Sequence, residues 1–114
     1  MEHLKNALIE KEHTAISEFK STLTNKLGKS LLEIKLFGSK ATGYSTPYSD
    51  LDLLVIVSEV TVGIKDLIYD VAVEMNLKYD VVISPIIYSK SSFDTDYLKH
   101  TYFYKATEQD GISI

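Results

Sequence analysis

Apolar residues recur every three to four positions over the first quarter of the chain, which is the spacing of one face of a helix. Gly28 follows this segment, where glycine commonly ends a helix. The next stretch, LLEIKLF at 31–37, alternates apolar and charged residues over part of its length, which predicts a strand. The recurring apolar positions of the helix are Leu4, Leu8, Ile16, Phe19, Leu23 and Leu27.

A second strand and a second helix follow a turn-rich segment that runs from Gly38 to Ser49. The stretch DLDLLVIV at 50–57 is almost continuously apolar after its two aspartates, which indicates a central strand covered on both faces. Residues 63–76 then repeat apolar side chains at the spacing of an amphipathic helix. These apolar positions are Ile64, Leu67, Ile68, Val71, Ala72 and Met75.

The last third of the chain predicts one more strand and one more helical region. The strand is YDVVISPII at 79–87, in which Pro85 favours an edge position or a bulge. Ser91 or Ser92 is a candidate cap for a helical region that ends at Asp110, before Gly111. The order α, β, loop, β, α, β, α predicts a small α/β (α+β) fold with helices on a short sheet.

Composition limits the classes of protein to consider. A chain of 114 residues, 45% hydrophobic and 25% charged, predicts one soluble domain over 1–114. No apolar run is long enough to span a membrane, and the charged start does not resemble a signal peptide, so we expect a cytoplasmic protein without a membrane partner. There is no cysteine. A net charge of −4, a pI of about 5.3 and the lack of any arginine make nucleic acid an unfavourable partner.

The main anomaly is the pair Asp50 and Asp52 at the start of a core strand. Alternation along a strand places both side chains on one face, with Cα atoms about 6.6 Å apart. Two carboxylates roughly 5 Å apart repel by about 3 kcal/mol at an effective dielectric constant of about 20. Folding gains nothing from this pair, so we expect a cation between them. Without Cys or His nearby, oxygen ligands favour Mg²⁺, and the spacing could accommodate two ions.

The turn after the first strand supplies a candidate phosphate site. Gly38 lets phosphate oxygens approach the main chain, and the N–H groups of Ser39 and Lys40 can donate to them. Asp80 is the best candidate for a third carboxylate, because it opens the third predicted strand. It could bind metal or help to deprotonate an acceptor hydroxyl.

The segment GSKATGYSTPYSDLDLLV resembles the signature of the minimal nucleotidyltransferases of the DNA polymerase beta superfamily, and the likeness extends over nearly the whole chain. The resemblance implies the small nucleotidyltransferase fold, with a short mixed sheet, and Mg²⁺-dependent transfer of AMP from ATP. It further implies that the Gly-Ser pair contacts the triphosphate and that Asp50, Asp52 and Asp80 hold the metal. Many relatives carry arginine after the Gly-Ser, where this chain has Lys40.

The resemblance also implies a partner. Small members of this family are commonly paired with a HEPN-domain ribonuclease toxin, and they silence it as antitoxins by attaching AMP to a tyrosine. The expected partners are therefore ATP and a HEPN toxin, with which the chain could form an oligomer. Two alternatives remain open: an antitoxin that inhibits by binding alone, and a transferase that modifies a small molecule such as an aminoglycoside.

Overall fold

The computed structural model describes residues 8–38 and 50–114, so Ser39 and Lys40 of the predicted phosphate turn lie outside the described residues. Within the described part of the chain, no helix is both long and apolar enough to cross a membrane. The elements are α1 (Glu10–Leu27), a 3₁₀ turn (Gly28–Ser30), β1 (Leu31–Phe37), β2 (Leu51–Val57), α2 (Val62–Tyr79), β3 (Ile83–Ser89), α3 (Lys90–Phe93), α4 (Asp96–Lys99), α5 (Tyr102–Asp110) and β4 (Ile112–Ser113).

The strands form a mixed sheet in the order β3-β2-β1-β4. The pairs β1–β2 and β1–β4 are antiparallel, whereas β2 and β3 run parallel, joined by the crossover helix α2. The predicted α/β fold with helices on a short sheet is confirmed. Strand β2 is interior and every residue in it is buried except Asp52, as its apolar sequence predicted. Strand β3, which contains Pro85, is an edge strand, also as predicted.

Alternation along β2 divides the core into two apolar clusters, one on each face of the sheet. Leu53 and Val55 join the cluster under α1 and α2, with Phe19 and Ile68 among its members. Leu54 and Ile56 point to the opposite face, where α3, α4 and α5 cover the sheet with aromatic residues. The aromatic residues of this second cluster are Phe37, Tyr88, Phe93, Phe103 and Tyr104. Asp52 has the same parity as Leu54, so its carboxylate lies on the α3–α5 face.

Three boundaries differ from the sequence prediction. The third strand begins at Ile83, because α2 continues to Tyr79 and ends at Asp80, which adopts the left-handed conformation with φ 55°. Asp80 is therefore the C-cap of a helix and does not open a strand. The C-terminal helical region is divided into α3, α4 and α5, with Thr101 capping the last by accepting a hydrogen bond from the Tyr104 N–H. Ile112, which follows the C-terminal helix, belongs to a short strand, β4, that pairs with β1.

The first prediction concerns the core under α1 and α2. Leu53→Ala removes a fully buried side chain from the central strand, and we expect the free energy of unfolding to fall by about 3–5 kcal/mol. Leu77→Ala is the matched control, because Leu77 is 83% exposed and alanine favours the helix. Urea denaturation followed by circular dichroism measures both values. Equal losses for the two variants would contradict the placement of Leu53 in the core.

Candidate active site

The two aspartates lie at the edge of the sheet where β2 begins. Asp50 immediately precedes the strand, and the N–H of Leu51 donates a 2.7 Å hydrogen bond to the carbonyl of Val82, which anchors this end of β2. Asp50 is exposed, whereas Asp52 is half-buried opposite Phe37 of β1. The backbone thus places both residues at one end of the α3–α5 face, at a point open to solvent.

Ser84 of β3 completes the immediate surroundings of the pair. It lies directly beside Asp52 in the parallel register, and its hydroxyl donates a 3.1 Å hydrogen bond to Asp50 Oδ2. This hydrogen bond restricts the orientation of the Asp50 carboxylate.

The environment raises the pKa of the Asp52 carboxyl. Burial is the larger cause, because it penalises the charged form, and the negative charge of Asp50 is the second. The second cause, the repulsion by Asp50, is the one predicted from the Asp-x-Asp spacing, whereas the larger contribution of burial was not predicted. A group whose charge is disfavoured in the folded protein is a frequent feature of binding and catalytic sites.

Gly38 contacts this carboxylate directly. Its φ is +76°, and a Cβ built on it would lie 2.5 Å from Asp52 Oδ2. Any other residue would be strained by its backbone and would collide with the carboxylate. Glycine at this position is thus required for the approach of β1 to Asp52, in addition to any role in leaving room for a phosphate.

A pocket of about 360 Å³ adjoins Gly38 on the α5 side. Its walls come from the end of β1 and from the exposed face of α5, and Phe37 and Phe103 meet there edge to face with centroids 5.5 Å apart. This volume falls within the range of small-molecule sites, and its surroundings are mainly apolar. The pocket is lined by Phe37, Gly38, Tyr102, Phe103, Ala106 and Asp110.

A larger cavity, of about 890 Å³, lies between α1 and the C-terminal residues Ser113 and Ile114. Two of its lining residues, Glu18 and Tyr79, already serve packing, since Lys78 Nζ and Tyr79 Oη both donate to Glu18 Oε1, at 2.9 and 3.1 Å, and tie α2 to α1. Neither member of the aspartate pair lines this cavity or the smaller pocket. The smaller pocket, however, is lined by Gly38, which approaches the Asp52 carboxylate, so we place the candidate site at Asp50 and Asp52.

Asp80 is not part of the same constellation in this structure. Its side chain is fully exposed at the end of α2, and its Oδ2 lies 3.6 Å from Lys11 Nζ. Among residues 8–38 and 50–114, no three His, Cys, Asp or Glu side chains are grouped closely enough to hold one metal ion. The structure thus brings together Gly38, Asp50 and Asp52, and adds Ser84, which the sequence analysis did not single out.

The sequence carried only a weak signal for Ser84. A lone polar residue within VVISPII stands out against its apolar neighbours. Its place beside Asp52 depends on the register of a parallel pair, which follows from the length of the α2 crossover and not from any local pattern. The same applies to the pocket beside Gly38, whose walls come from residues about 65 positions apart in the chain.

Comparison with known proteins identifies the class. Residues 16–111 match the family model described as "Nucleotidyltransferase domain", which covers most of the chain, including every residue of the site. The chain belongs to the nucleotidyltransferase domain family and is an enzyme of the nucleotidyltransferase class. This confirms the reaction class that the Gly-Ser and Asp-x-Asp motifs suggested.

Two relatives with substantial sequence identity are archaeal. A protein of Methanocaldococcus jannaschii named "Putative protein adenylyltransferase MJ0141" is 43% identical over 77 residues, covering 67% of this chain and 78% of that protein. A second from the same organism, "Putative protein adenylyltransferase MJ0604", is 40% identical over 83 residues, covering 73% of this chain and 79% of that protein.

Two solved structures share the fold. Both are crystal structures of mutants of the toxin-antitoxin MntA-HpeT. The first gives a TM-score of 0.57 at 15% identity, covering 85% of this chain and 69% of that chain. The second gives a TM-score of 0.54 at 18% identity, covering 86% of this chain and 70% of that chain. At this level of identity the likeness concerns the fold, and it confirms the predicted nucleotidyltransferase architecture.

The second prediction follows from the raised pKa of Asp52. Between the ordinary pKa of an aspartate and the raised value, the folded protein binds more protons than the unfolded chain, so stability falls as pH rises through that window. Asp52→Asn removes this penalty and is expected to raise Tm at pH 7 by a small amount, because Asp52 is only half-buried and solvent screens part of the effect.

The gain from Asp52→Asn should disappear below the ordinary pKa of aspartate, where the Asp52 carboxyl is protonated in the folded and in the unfolded protein alike. Thermal unfolding from pH 3 to pH 8, without added metal, measures the effect. Asp70→Asn is the control, since Asp70 is exposed on α2. A lower Tm for Asp52→Asn at pH 7 would show that the charge of Asp52 stabilises the fold and would contradict the electrostatic account.

The third prediction tests the contact between Gly38 and Asp52. Gly38→Ala should lower the free energy of unfolding by about 2–3 kcal/mol, because left-handed strain and the collision with Asp52 Oδ2 act together. In an Asp52→Ala background only the strain remains, so the loss should fall to about 1 kcal/mol.

Gly28→Ala is the matched control for this pair of variants. Gly28 also has a positive φ, of +54°, but a Cβ there would meet nothing within 4 Å. Its cost should be the same with Asp52 present or removed, when both are measured by urea denaturation. An unchanged cost of Gly38→Ala in the two backgrounds would exclude the close contact.

Proposed function

We propose that this protein transfers AMP from ATP to a tyrosine hydroxyl of a partner protein, and that it acts as the antitoxin of a HEPN-domain toxin. The observation that supports the proposal most directly is the half-buried Asp52, held beside Asp50 with its pKa raised. A chain gains no stability from that arrangement, so it is best explained by a cationic ligand.

The aspartate pair fits a divalent ion. Mg²⁺ in nucleotide sites is commonly held by one or two carboxylates together with substrate phosphates. Asp50 and Asp52 therefore provide enough protein ligands for one such ion. When bound, Mg²⁺ neutralises charge on the triphosphate and favours attack at phosphorus. We propose two ions, with Asp80 as a further ligand. Because Asp80 is exposed beside Lys11, this ligand would have to turn away from that lysine.

The remaining residues are assigned to the nucleotide. The positive φ of Gly38 directs the chain into the turn that begins after β1, where the main chain of Gly38, Ser39 and Lys40 is proposed to bind the triphosphate. The Lys40 ammonium would add a positive charge that can form an ion pair with a phosphate oxygen. The pocket between Phe37 and α5 could take a planar ring next to that position.

The reaction balances without any other reagent. The tyrosine oxygen bonds to the α-phosphorus of ATP, the bond from that phosphorus to the bridging oxygen breaks, and pyrophosphate leaves with the electron pair. The phenolic proton passes to a base, for which Asp80 is the proposed residue, directly or through water. Asp50 and Asp52 would hold the divalent ion through their carboxylate oxygens.

Protein as the acceptor is supported by two comparisons. The archaeal relatives are named as protein adenylyltransferases, and the structures with the same fold come from a toxin-antitoxin pair. The acidic chain without arginine also suits a protein acceptor better than a nucleic acid. A docked partner would supply the hydroxyl and complete the wall of the site.

The fourth prediction tests this function. The protein is incubated with Mg²⁺ and ATP labelled at the α-phosphate, either with a HEPN-domain protein from the genome that encodes this chain or with kanamycin. We expect label on the HEPN protein, located to a tyrosine by mass spectrometry. Asp50→Ala and Asp52→Ala should each reduce labelling at least 100-fold, while Asp70→Asn should label normally.

The alternatives predict other outcomes. Label on kanamycin alone would favour a small-molecule transferase and would overturn the protein acceptor. Inhibition of the toxin by wild type and Asp52→Ala alike, without label, would favour an antitoxin that acts by binding. Normal labelling by Asp80→Asn would remove Asp80 from the proposed site but leave the reaction intact.

A further inference from the structure

We propose that Ser84 is a positioning residue of the active site, which fixes Asp50 so that the aspartate pair can bind a divalent ion. This inference rests on the proposed function, since it concerns the metal that the reaction would use. It goes beyond that function by assigning a role to a side chain on β3 that lies outside the Gly-Ser and Asp-x-Asp motifs.

The position of Ser84 is set by backbone pairing. Ser84 lies beside Asp52 in the parallel ladder, between the pairs that Leu51 forms with Ile83 and Leu53 forms with Pro85. Alternation therefore directs Ser84 and Asp52 to the same face of the sheet. This is the place on the neighbouring strand where a further metal-binding oxygen would be expected, and a neutral hydroxyl occupies it.

The hydrogen bond from Ser84 to Asp50 indicates what this hydroxyl does. Asp50 precedes β2 and is exposed, so its side chain is not held by packing. The 3.1 Å bond from Ser84 Oγ to Asp50 Oδ2 restricts the carboxylate and leaves Oδ1 to face a cation together with Asp52. Partners of this kind, which orient a metal ligand, commonly affect metal affinity by about 10–100-fold.

A hydroxyl also avoids an electrostatic cost. Asp50 and Asp52 already bring two carboxylates to this end of the sheet, so a third carboxylate in the register position of Ser84 would add repulsion to the metal-free protein. The serine hydroxyl donates a hydrogen bond to Asp50 and carries no charge. A hydroxyl at this position therefore adds no repulsion before any ion is bound.

The experiment measures Mn²⁺ binding in the presence of a non-hydrolysable ATP analogue, by electron paramagnetic resonance of the free ion. Ser84→Ala is expected to weaken Mn²⁺ binding about tenfold, with the melting temperature of the metal-free protein nearly unchanged. Ser84→Thr, which keeps the hydroxyl, should restore most of the affinity. Ser17→Ala, at an exposed serine on α1, should bind as the wild type does.

A double-mutant cycle separates positioning from a general structural effect. In an Asp50→Ala background, Ser84→Ala should have no further effect on Mn²⁺ affinity, because the hydroxyl has lost its acceptor. A tenfold loss that persists in this background would overturn the role through Asp50. Unchanged or tighter binding by Ser84→Ala in the otherwise wild-type protein would overturn the inference and leave the proposed function standing. Absence of Mn²⁺ and nucleotide binding by the wild type would overturn both.

Discussion

The half-buried carboxylate of Asp52, held beside Asp50 at the start of β2, is the constraint around which the site is arranged. The backbone of Asp52 is fixed there because β2 is an interior strand of the sheet. Its carboxylate cannot move toward β1, where Gly38 already approaches it. The fold therefore keeps a disfavoured charge in place, which is useful only if a ligand neutralises it.

Secondary structure accounts for how rigidly this charge is held. An antiparallel neighbour on one side and a parallel neighbour on the other fix the direction of Asp52 through the ladder bonds of β2. The helices α3 to α5 cover the same face further along the strand, around Leu54 and Ile56. On this face of β2 the apolar packing therefore begins at Leu54, and the preceding residue on the same face is Asp52. The two carboxylates lie at the end of the strand that the helices leave uncovered.

Much of this arrangement could be predicted from the sequence. The apolar run after Asp52 identified the central strand, Pro85 identified the edge, and the spacing of Gly38 to Asp50 identified the chemistry. These signals are local, since each depends on alternation, on a missing N–H group or on a short motif. The family model over residues 16–111 confirmed the class that they indicated.

The errors came from places where local signals compete. Tyr79 and Asp80 precede β-branched residues and look like the start of a strand, but α2 continues through Tyr79 because its apolar face still packs on the core, and Asp80 then ends it in a left-handed conformation. Asp80 remains the predicted third carboxylate, although its position no longer favours that role. The parallel register that places Ser84 beside Asp52 is non-local and had no signature in the sequence.

The described geometry brings together two carboxylates and a neutral hydroxyl, with Asp80 apart from them beside Lys11, and such a site differs physically from one in which three carboxylates already meet. It carries less negative charge, so on the proposed function it would hold a bare divalent ion weakly and would depend on the phosphates of ATP for the remaining ligands. Metal and nucleotide would then bind cooperatively, because each supplies the charge that the other lacks. Such a site avoids the repulsion of a third adjacent carboxylate when no nucleotide is present. The weakly held metal follows from Ser84 lying where the register would otherwise bring a third acid.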